Sequence, residues 1–215
     1  MPVPLKIDFV SDISCPWCVI GLRALEQAIA RLDGQVAVDL HFQPFELNPQ
    51  MPPGGQDIDE HLQQKYGSTP EQAALVRERI RAAGAALGFT FSLQTRSRIY
   101  NTFDAHRLLH WAALEGRQLA LKQALFQAYF TDGEDPSSHQ VLIRAAARVG
   151  LDATRAARIL DSNEFAAVVR KEQAFYRDQG IHAVPAVIIN NQHLIQGGQP
   201  VEVFEQALRQ IAGLA

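Results

Sequence analysis

The chain is poor in cysteine: its 215 residues contain two, Cys15 and Cys18. Two cysteines cannot build the dense disulfide framework of a small secreted domain, nor a four-thiolate metal site. An excess of one charge is also missing. Twenty Lys and Arg stand against 23 Asp and Glu, a net charge of −3. No run of five basic residues occurs, so neither nucleic acid nor an anionic membrane is expected as a partner. No stretch approaches the roughly 18 uncharged apolar residues that read as a membrane span. The opening MPVPLKIDFVSD carries an aspartate inside its only apolar stretch and no small-residue cleavage site, so no secretory signal is expected. The expectation is a cytoplasmic protein. In that compartment structural disulfides are rare, and two closely spaced cysteines point to chemistry rather than scaffolding.

What is present is ordinary globular composition, 47% hydrophobic and 20% charged, with enough length for a substantial core. Leu5, Ile7 and Phe9 alternate with Lys6 and Asp8, which predicts a strand. From Pro16 the period becomes helical: Ile20, Ala24, Ala28 and Leu32 share a face, and Asp33-Gly34 closes the helix. Val36, Val38, Leu40 and Phe42 alternate with polar residues as a second strand, completing a βαβ unit with parallel strands.

A proline- and glycine-rich loop follows, then more than a hundred residues that read mainly as helix. Thr69-Pro70-Glu71-Gln72 predicts a helix start with a capping box. Other helices are predicted near 57–66, 102–115, 118–129, 138–149, 152–161 and 164–179. Strands return at Ala186–Asn190 and His193–Gln196, with a hairpin tip at Asn191 and Gln192, before a last helix over Val201–Ala212. The expected fold is α/β: a thioredoxin-like domain formed by 1–45 and 180–215, with a large all-helical insertion, 46–179, between its βαβ and ββα halves.

Cys15 falls where the first strand gives way to the first helix. A helix N-terminus exposes unsatisfied N–H groups and about half a positive elementary charge, so a thiolate there is stabilised. Pro16 suits the first helical position. Cys18 stands one turn further on, close enough for its sulfur to approach that of Cys15. Cys15 is then the expected nucleophile of a mixed disulfide and Cys18 the thiol that resolves it. Other readings remain open at this point. A zinc site would need histidines such as His182 or His106 to complete its ligands. The two cysteines could be a passive buried pair. A disulfide within one helical turn would constrain almost nothing.

The second element is GIHAVPAVII, residues 180–189, in which Val184-Pro185 immediately precedes an apolar strand. Proline cannot donate to a ladder, so it must begin the strand or occupy a turn.

SDISCPWCVIG, FQPFELNPQMPPGG, NTFDAHRLLHWA and HAVPAVIINNQHLIQGGQP together resemble the DsbA-like branch of the thioredoxin superfamily. The resemblance is in particular to FrnE-like oxidoreductases, relatives of the 2-hydroxychromene-2-carboxylate isomerases, and it runs through nearly the whole chain. It implies a cis peptide between Val184 and Pro185 beside Cys15, with the Val184 backbone offered to a substrate strand. It also implies a cleft between the two domains with Pro185 as its wall. In the isomerase relatives a serine commonly replaces the first cysteine and glutathione is the cofactor. Cys15 here favours thiol–disulfide exchange instead.

No tightly bound cofactor is expected, and glutathione enters as a redox partner. The expected substrate is a protein or small molecule carrying a disulfide or dithiol; a homodimer is admitted. Ala183 stands where the family usually has glycine. His182 is a candidate to stabilise the Cys15 thiolate or a solvated loop residue. Asp12 is read as a cap of the turn, with proton transfer for Cys18 as the other role. Trp17, between the cysteines, is expected to be partly exposed along a substrate surface. Asn101, His106 and Arg107 are placed on one inserted helix, facing the cleft by resemblance or making interdomain hydrogen bonds. The alternatives to an exchange enzyme are a glutathione-dependent isomerase or transferase and a redox-sensing or metal-holding module.

Overall fold

The first strand, β1 (Val3–Ser11), alternates buried and exposed side chains only at its start; from Ile7 to Ser11 every residue is buried. A strand covered on both faces belongs inside its sheet. The computed structural model, which describes residues 1–92 and 97–214, places it there. α1 (Pro16–Arg31) leads to β2 (Val36–Pro44), which runs parallel to β1 in register from Val3↔Val36 to Ser11↔Pro44.

The chain then leaves the sheet. A two-residue strand, β3 (Gln56–Asp57), precedes α2 (Ile58–Tyr66) and α3 (Pro70–Ala86). Thr69 caps α3 as its sequence requires: its hydroxyl accepts the Gln72 amide at 3.3 Å, and its own amide donates to the Gln72 side chain at 3.0 Å. β4 (Arg98–Ile99) returns to pair antiparallel with β3. Five more helices follow: α4 (Phe103–Leu114), α5 (Gln118–Phe126), α6 (His139–Arg148), α7 (Ala153–Leu160) and α8 (Ala166–Asp178).

β5 (Ala186–Ile189), β6 (His193–Gln196) and α9 (Val201–Ile211) close the chain. The main sheet has the order β2-β1-β5-β6. β5 lies antiparallel against the free edge of β1, from Ile7↔Ile189 to Val10↔Ala186. A thioredoxin-like sheet is thus built from the two ends of the chain, with helices between them.

Several expected boundaries move for local reasons. The helix expected over 118–129 stops at Phe126, and Gln127–Thr131 widens into a π-helical turn. Phe165 takes a left-handed conformation, φ 61°, so α8 cannot begin at Glu164. Asn190 and Asn191 both have positive φ; the hairpin therefore turns one residue earlier than expected, and Asn190 leaves the strand. Asn101 lies before α4 rather than on it.

One apolar core serves both sheet and helices. It runs from Ile7 and Phe9 through Val19, Leu22 and Leu25 to Leu108, Leu109, Leu121 and Leu125. Phe9 and Phe42 meet edge to face with centroids 5.7 Å apart. Each such fully buried side chain contributes about 1.5–3 kcal/mol. A second, smaller cluster of Val10, Phe45, Tyr176, Ile181 and Ala186 packs near 45 and 180, where the chain leaves and re-enters the sheet. No helix among the described residues is long and apolar enough to cross a membrane.

Candidate active site

β1 ends at Ser11 beside Pro44 of β2, and its other neighbour begins at Ala186. The register therefore delivers the loop after β1 directly to the segment before β5. Cys15 is the N-cap of α1, in extended conformation, with Pro16 at the first helical position. Cys18 lies in the first turn, its amide bonded to the Cys15 carbonyl at 3.1 Å. Both cysteines are free thiols and both are buried.

The Cys15 Sγ donates to the Val184 carbonyl at 3.6 Å, and the Val184-Pro185 peptide is cis. Behind them the packing is tight. A Cβ on Gly21 would stand 3.1 Å from Pro185 Cγ and 3.3 Å from Gly198 Cα, so a larger residue there would push α1 and this loop apart by a few tenths of an ångström. Trp17 is 38% exposed, beside the two sulfurs.

Asp12 anchors the turn. Its carboxylate accepts from the Ser14 amide and hydroxyl, from the Leu47 amide at 2.7 Å and from the Thr102 hydroxyl at 2.7 Å. It is thus a cap of the local turn, as read, and also a tie to the loop after β2 and to the start of α4. Burial pushes this carboxyl up, but His106, the Leu47 amide and Thr102 outweigh it and leave the pKa at about 2. His106 is 2% exposed, with Nε2 3.6 Å from Asp12 Oδ1, too long for a hydrogen bond.

The remaining candidates fall elsewhere. Asn101 accepts the Phe103 amide at 2.9 Å and starts α4, while its amide reaches Pro49. Arg107 is buried and holds the carbonyls of Glu164, Ile159 and Ser162, joining α4 to the corner between α7 and α8. His182 is exposed, and the Cys15 thiol bonds the Val184 carbonyl rather than His182. No cluster of metal-ligating side chains occurs among the described residues.

Lys122 was not read from the sequence as part of the site. It projects from α5, is 0% exposed, and its Nζ has no hydrogen-bond partner. The ammonium lies over the rings of Phe126, at 5.0 Å, and Phe42, at 5.7 Å. Burial lowers its pKa to about 8, against the opposing pull of Cys18, Asp12 and Cys15. The signal was present in the helix: Lys122 sits four residues before Phe126 and three before Leu125, on the apolar face of QLALKQALF. Lys122 and His106 also line a cavity of about 150 Å³ between β2, α4, α5 and α8. Neither Cys15 nor Pro185 lines it, whereas the sequence reading placed the cleft at Pro185.

Burial, then the adjacent Cys15 sulfur, pushes the Cys18 thiol well above its ordinary range, while Lys122 draws it the other way. The pair is therefore asymmetric. Cys15 stands at the helix end with its thiol on the Val184 carbonyl, and Cys18, one turn on, is fully buried and held as the thiol.

The DSBA-like thioredoxin domain model matches residues 6–209. The chain belongs to that family. It is similar to the crystal structure of a probable DsbA oxidoreductase, SCO1869 from Streptomyces coelicolor. The TM-score is 0.91 and the identity 32%, over 97% of this chain and 90% of that one.

Two more distant structures share the fold alone. A 2-hydroxychromene-2-carboxylate isomerase has TM-score 0.71 and 14% identity, over 98% of this chain and 99% of that one. The cytosolic disulfide reductase DsbM from Pseudomonas aeruginosa, solved with GSH, has TM-score 0.66 and 18% identity, over 96% and 98%. This DSBA-like chain is thus a thiol oxidoreductase by family.

Proposed function

We propose that this protein exchanges dithiols and disulfides with its substrates through Cys15 and Cys18. The observation that carries the proposal is the pairing of Cys15 Sγ with the Val184 carbonyl, one helical turn from a second free thiol. Cys15, as thiolate, attacks one sulfur of a substrate disulfide. The other sulfur leaves as a thiolate and takes a proton from solvent. Cys18 then attacks Cys15 Sγ and releases the second substrate thiol. Two protein thiols are oxidised to one disulfide, and one substrate disulfide is reduced to two thiols; the reverse sequence oxidises a substrate dithiol.

The backbone of Val184 gives the substrate its place. A Cys15 sulfur that is ionised or joined to a substrate no longer donates, so the Val184 carbonyl is free to accept an N–H from an extended segment. Trp17 and Pro16 border that segment. Glutathione, the ligand in the DsbM structure, is proposed as the redox partner, in keeping with a cytoplasmic location.

Titration against mixtures of reduced and oxidised glutathione tests this reading, with mass spectrometry of the trapped protein. The expected outcome is a Cys15–Cys18 disulfide in the parent, accumulation of a glutathione mixed disulfide in Cys18→Ser, and no exchange in Cys15→Ser. A parent that stays dithiol at every ratio, or a Cys15→Ser variant that exchanges like the parent, would overturn it.

A further inference from the structure

The exchange proposed above makes no use of the cavity between β2, α4, α5 and α8, which neither cysteine lines. Most of the polar lining of that cavity is already committed. The Gln118 side chain bonds both the amide and the carbonyl of Phe42, each at 2.9 Å. Gln43 donates to Asp8 at 2.7 Å. His41 Nε2 lies 2.8 Å from Asp39, and His110 Nδ1 lies 3.3 Å from Glu172. His106 turns its Nε2 towards Asp12.

Lys122 is the exception. It is fully buried, and its Nζ has no hydrogen-bond partner among the described residues. The ammonium stands 5.7 Å from the centre of the Phe42 ring, which is itself a wall of the cavity. The buried carboxylate of Asp12 is taken up by Ser14, Leu47 and Thr102 instead.

We propose that this cavity binds a short-chain carboxylate, with the carboxylate group on the Lys122 ammonium and the alkyl chain on Phe42, Leu109 and Leu114. A buried cation without a partner is costly, and an anion brought against it offsets that cost where a neutral ligand does not. Apolar walls around one convergent polar group are the usual make-up of a small-molecule site.

Size and charge narrow the ligand. The cavity measures about 150 Å³, the volume of an engineered apolar cavity that takes up benzene. Butyrate has as many non-hydrogen atoms as benzene. Glu172 shares the lining with Lys122, so a monoanion is admitted and a dianion such as hydrogen phosphate is opposed. The apolar walls favour an alkyl chain over a bare ion. Ala113 and Leu114, both on the lining, are exposed, so the ligand can enter from the surface beside α4.

Butyrate, its neutral isostere butyramide and inorganic phosphate are the probes, each titrated into isotope-labelled reduced protein and followed by NMR. Butyrate is expected to shift the amides of Leu109, Ala113 and Leu114 saturably at millimolar concentration. It should bind about tenfold or more tightly than butyramide, as a hydrogen bond between charged groups requires. Phosphate at equal concentration should not displace it. In Lys122→Met, which keeps a stem of similar length without the charge, the preference for butyrate over butyramide is expected to vanish.

The absence of any saturable shift at these amides would overturn the site. Equal affinity for butyrate and butyramide in the parent would overturn the part given to the ammonium, as would parental butyrate binding in Lys122→Met. Displacement of butyrate by phosphate would overturn the choice of a carboxylate. None of these outcomes bears on the exchange at Cys15, which the glutathione titration tests separately.

Discussion

Asp12 and Lys122 are two buried ionisable side chains at the same helix end, and they are held in opposite ways. Asp12 is saturated, with hydrogen bonds from the turn, the loop after β2 and α4, and its pKa falls to about 2. Lys122 has aromatic rings and an unpartnered ammonium, and its pKa falls to about 8. A buried charge with complete hydrogen bonding stabilises the geometry around it. A buried charge without them costs stability, and such a cost is retained where the group has work to do.

The sharpest way to break this contrast is to remove each partner in turn and follow urea unfolding. Asp12→Ala leaves the Ser14 and Leu47 amides without their acceptor and the nearby lysine without its counter-charge; it is expected to lose about 3–5 kcal/mol. Lys122→Met should move the other way and gain on the order of 2 kcal/mol at pH 7. The sign follows from linkage. The folded-state pKa of about 8 lies below the ordinary 10.5, so the unfolded chain binds the proton more tightly. The cost is full below about pH 8 and fades as pH rises towards 10.5. The gain from Lys122→Met should therefore shrink over that interval, and a gain independent of pH would remove Lys122 from the contrast.

Asp12 has the complementary signature. Its folded-state pKa of about 2 lies below 3.8, so its stabilisation is complete above pH 4 and lost as pH falls towards 2. That loss amounts to about 2 kcal/mol. An acid titration of stability, parent against Asp12→Asn, should show the loss in the parent only. The smallest effect is expected from Thr102→Val, which removes one of four donors to the carboxylate and costs about 1 kcal/mol.

The sequence made legible what depends on neighbours along the chain. The strand-to-helix turn at Cys15, the capping box at Thr69 and the hairpin before α9 are each encoded within a few residues, and each is found. The helix-start pattern also reads Pro16 correctly. What escaped depends on residues far apart. β3 and β4 are two residues each, too short for any period, and they pair across some forty positions. The π-helical turn at Gln127–Thr131 contains neither glycine nor proline to announce it. Lys122 looks like a solvated helical lysine until β2 and α4 cover it. Asn101 and Arg107 were placed by resemblance, and what they bond depends on the fold: Asn101 accepts the Phe103 amide at the start of α4, and Arg107 holds carbonyls at the corner between α7 and α8.

Cys15 and the carbonyl that receives its thiol stand 169 positions apart. During synthesis the CPWC turn emerges from the ribosome well before the strand edge that completes it. Until β5 docks, β1 has an open edge and Cys15 has neither Val184 nor Pro185 against it. A chain that stops short of Gly180 carries both cysteines yet lacks the place where a partner would lie. Reactivity of the finished kind is therefore a mark of a chain that has been made past β5.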